Sequence, residues 1–105
     1  MYAITFDLDT NCLDKQYPQK NYNNAYNDVK NFLISQGFTW TQGSVYFGDD
    51  SITAVHCVNT IQKLVIKFNW FGYCAKDVRM LRIEENNDLM PSINTALELI
   101  SSSNS

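Results

Sequence analysis

The sequence predicts one α+β domain of the ferredoxin-like, split β-α-β type, a four-stranded antiparallel sheet with two main helices on one face and an extra C-terminal helix. Three observations predict it. Period-2 runs occur near the start, the middle and the end of the chain, and helical periodicity fills two longer stretches between them. A chain of 105 residues with 45% hydrophobic content suits one core, drawn here over residues 1–100 with the polar 101–105 as a disordered tail.

The first strand runs from Tyr2 to Asp9, with Tyr2, Ile4, Phe6 and Leu8 on one face and Ala3, Thr5, Asp7 and Asp9 on the other. Thr10 to Asn24, rich in Asn, Lys and Gln around Pro18, reads as a long exposed loop. Tyr22, Ala25, Tyr26, Val29, Phe32 and Leu33 then repeat at helical spacing, and Gly37 supplies the stop. Phe38–Trp40 and Ser44–Phe47 form a hairpin around Thr41-Gln42-Gly43. Asp50 and Ser51 are candidate caps for a second helix, whose stripe is Ala54, Val55, Val58, Ile61, Leu64, Val65 and Phe68. A Trp70-Phe71-Gly72 turn leads to a fourth strand over Asp77–Ile83, then an acidic turn over Glu84–Asp88. Pro91 opens a short final helix carrying Ile93, Ala96, Leu97 and Ile100. In the split topology the strand order is 4-1-3-2 and one face of the sheet is left open.

Composition removes several functions. A net charge of −3 and a pI of about 4.8 argue against coating nucleic acid by bulk electrostatics. With no apolar run long enough to span a bilayer and no signal-like start, the expectation is a cytoplasmic protein without a membrane partner. Cys12, Cys57 and Cys74 fit no CxxC spacing, so idle thiols are expected rather than a disulfide framework or a zinc site. The lone histidine, His56, is expected on the solvated face of its helix and rules out a two-histidine nuclease within one subunit. Gly37, Gly43, Gly48 and Gly72 are isolated and match no phosphate loop.

The topology does gather one set of polar groups. The end of the first strand lies beside the starts of the third and fourth, which brings Asp7 and Asp9 near Ser44 and Asp77. Asp7 belongs to the open face; Ser44 and Tyr46 share a parity assigned to the same face. In the last strand Asp77, Arg79, Leu81 and Ile83 share one parity, and Val78, Met80 and Arg82 the other. Grouped carboxylates can hold a hard cation such as Mg²⁺, with Asp7 as its ligand, or act as a general base, and either suits phosphodiester cleavage. Arg79 and Arg82 have the planar forks that pair with phosphate, Tyr46 could contact substrate, and Ser44 could bond a phosphate oxygen. The competing reading is a non-enzymatic dimeric module whose acids close strand ends and pair with neighbouring arginines.

Three long segments carry a resemblance: Met1-Tyr2-Ala3-Ile4 running into Phe6-Asp7-Leu8-Asp9-Thr10-Asn11-Cys12-Leu13, then Gln42 to Gly48, then Lys76 to Pro91. Together they resemble the virulence-associated protein D (VapD) family of bacteria. The resemblance implies a modified ferredoxin-like fold close to that of small CRISPR-associated nucleases, a homodimer, and endoribonuclease activity on mRNA. It also implies a toxin neutralised by a small antitoxin protein. It assigns importance to Asp7, Leu13, Ser44 and Asp77, where Leu13, being apolar, would shape the loop beside the substrate. The related CRISPR proteins pair an Asp from each subunit around a metal, an arrangement that VapD proteins need not share.

Overall fold

The computed structural model describes residues 1–103. The elements, in order, are β1 (Tyr2–Leu8), α1 (Thr10–Gln16), α2 (Asn23–Ser35), β2 (Phe38–Gln42), β3 (Val45–Gly48), α3 (Ala54–Lys67), α4 (Asn69–Cys74), β4 (Ala75–Arg82) and α5 (Met90–Ser103). The sheet order is β2-β3-β1-β4 with all pairs antiparallel, the split β-α-β arrangement. Ile4, Phe6 and Leu8 face the helices. Phe6 stacks on Tyr46 with centroids 5.9 Å apart and meets Phe71 edge-on at 5.5 Å, and the core continues through Leu13, Val29, Leu33 and Leu64. Each such aliphatic side chain, fully withdrawn from water, contributes about 1.5–3 kcal/mol before entropy is counted.

Four local features depart from expectation. The segment expected as a loop holds α1, because the Asp9 carboxylate accepts from the Asn11 and Cys12 amides at 2.9 and 3.2 Å and so caps a helix that buries Leu13. Trp70-Phe71-Gly72 lies inside α4 rather than a turn. Gly72 is needed there because a Cβ would meet Val65 Cγ1 at 2.8 Å, so α3 and α4 approach closely only across a bare backbone. The cap of α3 is Thr53, whose hydroxyl accepts from the His56 amide at 3.1 Å; Asp49 instead binds Ser51 in the preceding turn. His56 is not solvated: its ring stacks on Phe38 and its Nε2 lies 2.7 Å from the Gln36 carbonyl.

The largest departure concerns the cysteines. Cys12 and Cys74 form a disulfide that joins the first turn of α1 to the end of α4, while Cys57 is free and buried. Burial pushes the Cys57 thiol pKa up, as suits a core residue. Part of the expected tail is ordered too, since α5 extends to Ser103; the remainder of that tail lies outside the described residues. Among the described residues no helix is long and apolar enough to cross a membrane.

Candidate active site

The β1–β4 register pairs Asp7 directly with Asp77, then Thr5 with Arg79 and Ala3 with Leu81. Directly opposed residues point to the same face. Asp7, Asp77 and Arg79 therefore share the face that the helices leave open, whereas Phe6 and Val78 turn inward. Immediately beyond Asp7 the register shifts, and Leu8 pairs with Ala75. Behind this irregularity the Asp9 amide donates to the Cys74 carbonyl at 2.8 Å, and the Cys12–Cys74 bridge ties the same corner together. The two acids thus stand at the rim of a covalently pinned strand end.

Their surroundings differ. Arg79 Nε donates to both Asp77 oxygens, at 3.1 and 3.0 Å, in a pair whose side chains are 68% and 47% exposed. At that exposure the pair is worth about 0–1 kcal/mol, so an incoming anion can draw the guanidinium away at little cost. Asp7 is exposed and, among the described residues, its carboxylate has no hydrogen-bond or ion-pair partner. Ser44 is half-buried in the β2–β3 turn beside Gly43, which adopts φ +48°, and its carbonyl accepts from the Phe6 amide at 3.2 Å. That bond sets Ser44 opposite Phe6, one residue from the Asp7 rung and at the parity of Tyr46 rather than on the open face expected for it.

The other predicted contacts do not converge here. Tyr46 pairs with Ile4, not with an open-face residue, and is 2% exposed in the core; Val45 and Phe47 occupy the open face instead. Burial raises the Tyr46 phenol pKa, and no substrate can reach it. Leu13 is fully buried beneath α1, so it supports the corner from inside rather than lining it. Arg82 pairs with Tyr2 at the far end of β4 and lies 3.6 Å from Glu84. Five residues at a strand rise of ~3.3 Å put it about 16 Å from Asp77, on the opposite face.

One neighbour was missed in the sequence. Tyr26 on α2 has its pKa raised by burial first, then by Tyr22 and by the charge of Asp7, which places the phenol within electrostatic reach of that carboxylate. Helical spacing alone had marked Tyr26 as core. No cluster of three or more His, Cys, Asp or Glu side chains gathers among the described residues. Asp7 and Asp77 do supply the one or two carboxylates with which Mg²⁺ is held when phosphate and water complete its shell.

Comparison with known proteins gives this corner its context. Residues 1–90 match the family described as CRISPR associated protein Cas2. The chain is 61% identical over 93 residues to Endoribonuclease VapD 2 of Riemerella anatipestifer, covering 89% of this chain and 99% of that protein. The chain belongs to the VapD family. A second VapD relative, Endoribonuclease VapD homolog of Helicobacter pylori (strain ATCC 700392 / 26695), is 56% identical over 97 residues, 92% of this chain and 100% of the relative. A more distant VapD protein, from Dichelobacter nodosus, is 38% identical over 90 residues, 84% of this chain and 91% of its own.

Proposed function

We propose that this VapD-family chain is an endoribonuclease acting on single-stranded RNA, with mRNA as its cellular substrate, and that the chemistry occurs at the Asp7–Asp77 rung. The observation that carries the reading is the direct pairing of an unpartnered Asp7 with Asp77 on the open face, beside a loosely held Arg79. Asp7 acts as general base: it takes the proton from the oxygen that attacks phosphorus as the bond to the leaving oxygen breaks. Arg79 transfers its fork from Asp77 to the phosphate, where a bidentate contact offsets the growing negative charge. Ser44 donates its hydroxyl to a phosphate oxygen, and Asp77 is the acidic partner that sets the position of Arg79. Asp7 and Asp77 are the residues that would hold a Mg²⁺ ion, which would supply charge neutralisation at the phosphate.

The names of the relatives as endoribonucleases support this reading, as does the Cas2 match. A homodimer joined through the open face, a toxin role with a small antitoxin protein as partner, and a cytoplasmic location complete the proposal. A dimer of that kind would bring two copies of Asp7 near one another. The competing reading, a binding module without catalysis, draws on the Arg79–Asp77 pair, which is what a purely structural acid would also make.

The deciding experiment is cleavage of a labelled single-stranded RNA by wild type and Asp7→Asn, each with Mg²⁺ and with EDTA. Asp7→Asn should lose at least a hundredfold in rate, the scale of a general base, while its melting temperature stays put. Loss of wild-type activity in EDTA would assign a metal to the acids. Equal cleavage by both proteins would refute the site, and no cleavage by either would favour the binding module.

A further inference from the structure

The end of the fold that carries the acidic rung also carries an aromatic, cationic cleft that the core does not fill. Gln16 at the end of α1, Lys67 and Phe68 at the end of α3, and Asn69, Trp70 and Tyr73 of α4 line it, and its volume of about 420 Å³ suits a ligand of nucleotide size. The floor is packed: Trp70 is buried, meets Tyr17 edge-on at 5.1 Å and lies 5.3 Å from the Phe68 ring. Tyr73 stands outside that packing. Of the six tyrosines it alone is exposed, at 75%, so its ring face is open to a partner from solution. Asn69 turns its amide nitrogen to the Val65 and Ile66 carbonyls at 3.0 and 3.4 Å, which leaves its oxygen for a donor in the cleft.

The cations at this end are not neutralised. Lys67 Nζ lies over the faces of Phe32 and Phe68 at 5.6 and 5.5 Å, contacts that hold the ammonium in place without cancelling its charge. Lys76 falls at the register shift between the Asp7–Asp77 and Leu8–Ala75 pairs, so no β1 residue opposes it; such bulges re-aim side chains and recur beside active sites. The ion pairs among the described residues are Arg79–Asp77 and Arg82–Glu84, and neither lysine has a carboxylate of its own. In a chain of net charge −3, two such lysines supply a local attraction for a polyanion. The cleft also connects to the rung. Tyr73 precedes Cys74, whose carbonyl accepts from the Asp9 amide at 2.8 Å, and Asp77 is four positions on, a span of at most ~14 Å.

We propose that this cleft is the subsite for the single-stranded RNA flanking the scissile phosphate, with one base stacked on Tyr73 and the backbone held by Lys67 and Lys76. The inference rests on the endoribonuclease reading above and names the residues that position its substrate. An exposed aromatic ring between unpaired lysines is the combination by which single strands are held, the ring taking a base face and the cations the phosphates. Every base has such a face, so the subsite selects unpaired RNA rather than one sequence. In a duplex the neighbouring bases already cover those faces, and Tyr73 has nothing to stack on.

The test is binding of a labelled single-stranded oligoribonucleotide of mixed sequence, read by fluorescence anisotropy in an Asp7→Asn background that leaves the strand uncut. Adding Tyr73→Ala should raise Kd about tenfold, and Tyr73→Trp should restore it. Lys67→Gln and Lys76→Gln should each weaken binding and flatten the slope of log Kd against log salt by about 0.7, while Lys67→Arg keeps the parental slope. A duplex of the same sequence should bind more weakly and be indifferent to Tyr73→Ala. All these side chains are exposed, so unchanged melting temperatures separate a lost contact from a lost fold. Parental affinity in Tyr73→Ala, Lys67→Gln and Lys76→Gln would overturn the subsite, and cleavage by wild type would then leave the Asp7–Asp77 rung standing. Absence of RNA binding by the parent at low salt would overturn the subsite as well. Binding weakened as expected, in a protein whose wild type cuts no RNA, would uphold the subsite and sink the nuclease reading.

Discussion

Replacing Cys12 with serine opens the Cys12–Cys74 bridge at its more exposed end, while Cys74, 1% exposed, keeps its packing. The bridged cysteines are 62 positions apart, so opening the bond frees a loop of that order in the unfolded chain. Loop-closure entropy then predicts a loss of about 4 kcal/mol at 25 °C. A domain of this size has about 5–15 kcal/mol in all, so the variant should melt some 15–30 °C lower. Urea unfolding of the oxidised wild type, the wild type in dithiothreitol and Cys12→Ser measures it. The reduced wild type and the variant should coincide, both well below the oxidised protein. Thiol titration in denaturant should find one thiol in the oxidised form, from Cys57, and three after reduction. Three thiols in protein prepared without reductant, or a variant within 1 kcal/mol of the oxidised wild type, would refute the reasoning. The outcome bears on the cell as well. A reducing cytoplasm keeps thiols open, so there the acidic corner would be held by the Asp9–Cys74 hydrogen bond and packing alone.

Three further outcomes follow from the same geometry. Arg79→Ala should lower kcat/KM for RNA by about tenfold or more, whereas Arg82→Ala, far along β4 and paired with Glu84, should change it less than twofold, as initial rates would show. The Tyr17 hydroxyl donates to Asp28 at 2.7 Å, and burial first and this bond second push its pKa from 10.0 up to about 12. The folded form therefore holds the proton more tightly. Stability is full below pH 10 and falls as pH rises from about 10 to 12, and Tyr17→Phe should flatten that fall in urea midpoints measured across the range. Gly72→Ala should cost about 1–3 kcal/mol in urea unfolding, because its methyl meets Val65 Cγ1 at 2.8 Å where α3 and α4 touch.

The parts of the site that the sequence revealed share a physical cause. β1 carries polar residues at Thr5, Asp7 and Asp9 against apolar ones at Ile4, Phe6 and Leu8, so its two faces differ and parity alone orients Asp7. Strand order then placed Asp77 beside it, and the register confirms a direct pair. In β3 the run Val45-Tyr46-Phe47 is apolar on both faces, so hydropathy does not choose between them; the pairing of Tyr46 with Ile4 does, and sends it into the core. β4 is ambiguous for the related reason that Arg79 and Arg82 fall on opposite parities within one mixed run. The short helices escaped for want of length. Seven residues in α1 and six in α4 scarcely complete two turns, too few to establish a period against Asn-rich or aromatic composition. The disulfide was invisible because nothing local relates Cys12 to Cys74; only the meeting of α1 with the end of α4 brings them together. The α5 stripe was legible as amphipathic from its spacing, but a stripe states that something covers it and not what, and Ile93, Leu97 and Ile100 remain half or more exposed on this chain.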